Sequence, residues 1–178
     1  MSIEKEKLLS RRTLYQGKLL EVHLDRVTVS GRETSREVVL HPAAAAIIPI
    51  TADKEAIFVK QYRYPIGKEL LEIPAGKMDP GESEDACAAR ELEEETGYIG
   101  MLQKLGQIYS SPGFCDEIIH LYLAKDLVHT RQHLDEGEYL DVVKIPLSDV
   151  FAMIGRGKMT DAKTVSAFAM AWDLLHSL

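Results

Sequence analysis

The stretch Gly76–Tyr98 constrains this chain more than any other. It reads Gly76-Lys77-Met78-Asp79-Pro80-Gly81-Glu82-Ser83, then a carboxylate-rich run from Glu84 to Thr96, then Gly97-Tyr98. Pro80-Gly81 is a turn signal, and Ser83 suits the N-cap of a helix running to about Thr96. Glu84 and Asp85 fall in its first turn, where the helix dipole favours anions, and Gly97 stands where such a helix stops. Glu91, Glu94 and Glu95 are spaced i, i+3, i+4 and share one face. Ala89 and Leu92 are expected to point elsewhere, toward a core. Carboxylates about 5–6 Å apart on a helix repel by roughly 3 kcal/mol at an effective dielectric of about 20. Such a face is a poor structural element and a good hard-cation site. Oxygen ligands that leave room for phosphates suit Mg²⁺ or Mn²⁺. Arg90 is placed to clamp a loop carboxylate such as Glu82 through a bidentate pair. Taken alone, Glu91–Glu95 also reads as a solvated helix face. The glycines, Glu82 and Arg90 weigh against that.

The 178 residues suggest one main domain with a small appendage. The 46% hydrophobic content is enough for a substantial core. Twenty-one basic against 28 acidic residues, a net charge of -7, argue against nonspecific binding to nucleic acid or an anionic membrane. An anionic substrate then needs metal ions and a few placed arginines. The start has no signal-peptide apolar region, and the longest apolar run, Ala43–Ile50, is too short to span a membrane. Cys87 and Cys115 lack metal-type spacing. A cytoplasmic setting with reduced thiols is expected.

The organisation changes near His41-Pro42. Before it, Leu14–Gln16, Leu19–Val29 and Thr34–Leu40 read as a small antiparallel sheet turning at Ser30-Gly31. So small a sheet needs a neighbour to bury against. After it, Ala43–Ile50, Glu55–Tyr62, Glu69–Pro74, Leu102–Ser110, Glu117–Ala124 and Glu138–Ile145 read as strands. A helix is expected over Leu147–Gly155. A last helix is expected over Asp161–Leu175, with Ala162, Val165, Phe168, Ala169 and Trp172 as its buried stripe. The six histidines form no ligand spacing, and His120 reads as a packed strand residue. Tyr62 and Tyr64 read equally as base-stacking or packing residues.

The pattern Gly-x5-Glu-x7-Arg-Glu-Leu-x-Glu-Glu-x-Gly, from Gly76 to Gly97, resembles the Nudix hydrolase signature at every fixed position. At roughly 7% usage per residue type, chance matching is on the order of one in 10⁸ per start position. Tyr98 stands where that family more often has an aliphatic residue. The resemblance implies an α+β fold: an α/β/α sandwich with a mixed sheet, here residues 43–178. The small antiparallel sheet of residues 1–42 would be an addition to it. Ser110-Ser111-Pro112-Gly113-Phe114 puts Pro112 fifteen positions after Gly97, as in family members that hydrolyse ADP-ribose. Gln61-Tyr62-Arg63, Glu72–Gly76 and Leu134–Glu138 resemble the same bacterial ADP-ribose pyrophosphatase subfamily. Sugar-nucleotide enzymes such as GDP-mannose pyrophosphatases share much of this architecture. A Nudix-fold binding module would have lost signature carboxylates, and this chain keeps them all.

The resemblance implies metal-dependent hydrolysis of a nucleoside diphosphate sugar, ADP-ribose to AMP and ribose 5-phosphate, using two or more Mg²⁺ ions with Mn²⁺ as a substitute. Glu91 and Glu95 would ligate metal, with Glu94, the Ala75 carbonyl and Glu138 contributing. Glu136 matches a proposed general base; a signature glutamate (Glu91, Glu94 or Glu95) is the alternative, and Arg90 supports the set. On the substrate side, Arg63 would meet the diphosphate, and Pro112 and Gly113 would shape the ribose region with Glu117. Arg36 and Glu37 would meet the adenine from a partner subunit, the N-terminal sheets being exchanged in a homodimer. Phe114 and Cys115 depart from the small polar residues of some relatives, which leaves the ribose pocket's fine shape open.

Overall fold

A computed structural model describes residues 3–177. The chain separates into two compact units. One comprises the residues up to Pro42 together with Tyr109–Ile118; the other comprises Ala43–Ile108 and the residues from Ile119 onward.

In the first unit, β1 (Lys7–Gln16), β2 (Glu21–Val29) and β3 (Arg32–Leu40) form one antiparallel sheet in the order β1-β2-β3. The first strand is longer than the Leu14–Gln16 expectation. Register shifts interrupt its ladder between Leu8 and Ser10 and between Thr13 and Tyr15, and these irregularities hide its periodicity. Its whole length is exposed, Leu8, Leu9, Leu14 and Tyr15 included. The buried positions of β2 are His23, Asp25 and Val27. Burial of Asp25 is made tolerable by Arg11, which donates two hydrogen bonds to its carboxylate at 2.8 and 2.7 Å.

The second unit is an α/β/α sandwich. One sheet has the order β7 (Ala75–Lys77), β4 (Ala44–Pro49), β9 (Ile118–His129), β8 (Tyr98–Tyr109), with β4 and β9 parallel and β4 and β7 antiparallel. The other has the order β10 (Leu140–Pro146), β5 (Glu55–Arg63), β6 (Lys68–Glu72), all antiparallel. Strand β4 is buried on both faces, so it reads as a continuous apolar run. Ala44, Ala46 and Ile48 join the core that includes Ala167 and Phe168 of α3 (Ala162–Met170). Ala45 and Ile47 pack with Cys87, Ala88 and Leu92 of α1 (Glu84–Thr96). The period-two alternation of β4 thus sorts one core from the other.

Three expectations are corrected. Ala89 is exposed, and the core face of α1 is Cys87, Ala88 and Leu92. Glu69–Pro74 is not one strand into the loop: β6 ends at Glu72 and β7 opens separately at Ala75. The C-terminal helix is broken at Ala171 into α3 and α4 (Trp172–His176), with α2 (Leu147–Gly155) before them. Its buried stripe is Thr164, Ala167, Phe168, Ala171 and Leu175. Trp172 is 51% exposed and packs at the surface on Phe151 and His176. No helix among the described residues is long and apolar enough to cross a membrane.

Candidate active site

Local chemistry builds the signature helix. The Ser83 hydroxyl accepts from the Ala86 amide at 3.2 Å, and Glu82 N–H closes the preceding turn on Asp79 O at 2.9 Å. At the other end Gly97 adopts φ 71° and its N–H returns to Glu93 O at 2.8 Å, the left-handed cap that glycine forms without strain.

Arg90 organises the acids. Its Nε and Nη2 donate to the two oxygens of Glu82 at 2.9 and 3.0 Å. Its Nη1 donates to Glu91 at 2.7 Å and Glu94 at 2.9 Å, and Nη2 also reaches the Lys77 carbonyl at 3.0 Å. One guanidinium therefore serves three carboxylates, and holds Glu82 down to about 2. Glu91 and Glu95 are buried, at 9% and 3% exposure. Among the described residues no cation is bonded to Glu95: one oxygen accepts the Ala75 N–H at 2.9 Å. Burial, opposed by that hydrogen bond and reinforced by Glu91 and Glu138, pushes its carboxyl up to about 8. Burial also raises Glu91, against the pull of Arg90. Among the described residues no three acidic, histidine or cysteine side chains stand together so as to hold a metal ion; the acids are turned to Arg90 and to the Ala75 amide. Two buried, under-neutralised carboxylates remain a donor set that fits a hard divalent cation.

Gly76 lies against this set. A Cβ there would stand 1.8 Å from Glu91 Oε1. The obstacle is the end of a flexible side chain, so Gly76→Ala is expected to displace the Glu91 carboxylate without unfolding the chain. Turnover should drop on the order of 10²-fold, as when a positioned charged group is lost, with Tm nearly unchanged. Steady-state kinetics beside a melting curve check this; unchanged turnover refutes it.

The loop carrying Glu136 and Glu138 is tied to the end of α1. Thr130 N–H donates to Gly97 O at 2.7 Å, His133 N–H to Glu94 O at 3.1 Å, and the Gln132 side-chain amide to Glu95 O at 2.6 Å. Glu138 is close enough to raise both Glu91 and Glu95, and it lines a cavity of about 390 Å³ with Lys60, Tyr62 and Tyr139. Glu136 is exposed in the same loop. Arg63, at the end of β5, does not stand free. It makes two 2.7 Å hydrogen bonds to Glu72, a buried acid that also bonds Lys163. The sequence reading gave Glu72 and Lys163 no role. They are 91 residues apart, and Lys163 carries no local signal.

In the first unit, Arg36, Glu37, Pro112 and Gly113 line one cavity of about 480 Å³ with Tyr109 and Phe114. The 109–118 loop is pinned there by Val39 N–H to Phe114 O at 2.7 Å and Asp116 N–H to Val39 O at 3.2 Å. Arg36 Nε donates to Glu6 at 3.1 Å. Glu117 lies 3.3 Å from His41 Nδ1.

Residues 40–168 match the NUDIX domain model. The chain belongs to the Nudix family. It is 39% identical over 91% of its length to an ADP-ribose pyrophosphatase of Bacillus subtilis, covering 90% of that protein. It is 41% identical, at the same coverage of each, to a methanol dehydrogenase activator of Bacillus methanolicus. A GDP-mannose pyrophosphatase of Citrobacter koseri is 36% identical over 80% of this chain and 78% of its own. The solved structure of an ADP compounds hydrolase superposes with TM-score 0.88 at 27% identity, covering 99% of this chain and 97% of that one. The Nudix fold accounts for the sandwich of the second unit, with the signature helix on one face of β4.

The raised Glu95 carboxyl sets a pH dependence. It titrates at about 8 in the folded chain and near 4.3 when unfolded. Between these values the folded chain holds a proton that the unfolded chain releases. The metal-free protein therefore loses stability as pH rises through that window, and no more above it. At about 1.36 kcal/mol per unit and about 2–4 °C per kcal/mol, Tm in chelator should fall roughly 5–10 °C from pH 6 to pH 8. An excess of a hard divalent cation should flatten or reverse the slope, since such a cation would bind the ionised carboxylate. Glu82, held low by Arg90, acts in the opposite sense and only on the acid side: its stabilisation is lost as pH falls from about 4 toward about 2. A chelator curve flat from pH 6 to pH 8 refutes the assignment for Glu95.

Proposed function

We propose that this Nudix hydrolase cleaves the diphosphate of ADP-ribose, giving AMP and ribose 5-phosphate with Mg²⁺ as the natural cation and Mn²⁺ as a substitute. The observation that carries the reading is the pair Glu91 and Glu95, buried acids on one helix face whose neighbouring guanidinium is already shared among three carboxylates. Glu91 and Glu95 would hold the cation, with Glu94, Glu138 and the Ala75 carbonyl beside them. When bound, it supplies positive charge to the diphosphate oxygens as negative charge develops on them. Water adds to one phosphorus and the bridging P–O bond breaks. Glu136, on the loop tied to α1, takes the water's proton; a signature glutamate is the alternative base. Arg63 meets the diphosphate, and Pro112 and Gly113 shape the ribose region with Glu117.

The ADP-ribose assignment rests on the relatives named above and on Pro112 and Gly113 lining the cavity of the first unit. Arg36 and Glu37 are the adenine contacts of this reading, each reaching the nucleotide bound to the partner subunit. Residues 1–42 would serve dimerisation and adenine recognition, and residues 43–178 the chemistry. Exposure of the whole of β1, with its leucines and Tyr15, supports a homodimer that covers this sheet. The test is a panel of ADP-ribose, GDP-mannose, NADH and diadenosine polyphosphates with Mg²⁺ and with Mn²⁺. The highest kcat/KM is expected for ADP-ribose, from a protein that weighs as a dimer by light scattering. A preference for GDP-mannose would move the chain to the sugar-nucleotide enzymes; a fully active monomer would end the exchange model.

A further inference from the structure

The carboxylate of Glu72 is buried yet bonded to two cations. Arg63 donates Nε to Oε1 and Nη2 to Oε2, both at 2.7 Å. Lys163, from the first turn of α3, donates Nζ to that same Oε2. Lys163 Nζ also reaches Asp161 Oδ1 at 3.1 Å. Asp161 in turn caps α3: its Oδ2 accepts from Thr164 N–H at 3.1 Å and from the Thr164 hydroxyl at 2.6 Å. The Thr164 oxygen accepts Ile73 N–H at 3.0 Å, on the segment that leads into Ala75 and Gly76. The network therefore joins α3, β5, β6 and the entry to the signature loop.

A bidentate arginine uses one lone pair on each oxygen of the carboxylate and leaves the others unmet. Lys163 takes a remaining lone pair of Oε2, and in doing so it shares that oxygen's negative charge with Nη2. Asp161 balances the four charges to zero, so the network is neutral although Glu72 is shared. Arg63 keeps Nη1 free of protein partners among the described residues. It also lies within electrostatic reach of Glu95.

We propose that Lys163 is a positioning residue for Arg63: by holding Glu72 from α3 it fixes the plane of the guanidinium fork and keeps positive charge on Arg63 for the substrate diphosphate. This rests on the reading that Arg63 meets the diphosphate. Without Lys163, Glu72 neutralises Arg63 one to one and draws the fork inward.

The test compares Lys163→Met, Lys163→Gln and Lys163→Arg, alone and in an Arg63→Met background. Lys163→Met and Lys163→Gln should raise KM for ADP-ribose about 10-fold, the scale of one hydrogen bond to a charged group. Lys163→Arg should restore KM, and kcat should stay within about twofold in all three. In the Arg63→Met background, adding Lys163→Met should raise KM no further, because both changes act through one side chain. The Arg63 Nε–H resonance of the substrate-free protein should shift in Lys163→Met and return in Lys163→Arg. This readout is independent of the substrate: a shifted resonance with unchanged KM would keep the positioning role and remove Arg63 from the diphosphate. A lowered Tm with resonance and KM unchanged, or KM effects that multiply in the double variant, would overturn the proposal.

Discussion

Glu91→Gln and Glu95→Gln are each expected to lower kcat on the order of 10³-fold, about 4 kcal/mol of transition-state stabilisation, with the fold intact. The substitution keeps shape and removes charge. Glutamine at position 95 can still accept the Ala75 N–H through its amide oxygen, now at 2.9 Å from the carboxylate. Glutamine at position 91 loses the ionic part of its bond to Arg90 Nη1. Neither change opens a cavity, so the penalties that usually accompany core substitutions are absent. For Glu95 the metal-free protein should even hold its Tm better at pH 8, since the side chain at position 95 then has no proton to lose. The signature of the role is the combination: turnover collapses, the melting curve in chelator does not, and the Mg²⁺-induced rise in Tm disappears. Near-wild-type turnover in both variants would remove the two acids from the reaction.

Arg90→Met should give the largest loss of stability among single changes at the site. It removes the donors to Glu82, Glu91 and Glu94 and to the Lys77 carbonyl, leaving three acids with no counter-charge. Breaking a buried pair from one side costs about 3–5 kcal/mol. Arg90 keeps part of its surface in water, so the lower end applies, roughly 6–12 °C in Tm for a chain of this size. Excess Mg²⁺ should recover part of the loss by supplying the missing charge. Arg90→Lys should not recover it, because an ammonium has no planar fork to span Glu82. Turnover falls in both, since Glu91 and Glu94 lose the group that orients them. If Arg90→Met melts within about 2 °C of the parent, Arg90 is not what holds these acids together.

The signature helix was readable because its determinants are local. Ser83, Gly97, the Pro80-Gly81 turn and the Arg90–Glu82 pair all lie in the one segment from Pro80 to Gly97, and the structure forms each of them. The sandwich was legible too, since β4 is apolar throughout and β9 alternates against two cores. Where the reading failed, burial depended on distant partners. Ala89 was expected inward, but the face of α1 that meets Ala45 and Ile47 of β4 is Cys87, Ala88 and Leu92. Trp172 was expected in the core because its helical spacing puts it on one stripe with Ala162, Val165, Phe168 and Ala169. The break at Ala171 turns α4 so that Leu175 enters instead. Thr164 is buried as a polar residue because Ile73 and Asp161 satisfy it, and the Ile73 partner is remote in sequence.

The sequence by itself determined the family and the chemistry of the acids, because spacing along one helix decides which carboxylates share a face, and repulsion among them calls for cations. Tertiary structure decided which of those acids are desolvated. Glu82 is lowered because Arg90 grips it, a pair legible in the sequence, whereas Glu95 is raised because the fold closes over it, which no pattern of residue types encodes. It also decided what surrounds Arg63. A lone arginine at a strand end is, in the folded chain, one arm of a part-buried network with Glu72, Asp161 and Lys163. Desolvation and charge sharing act through space at low dielectric, so they become fixed only when segments far apart in the chain are packed together.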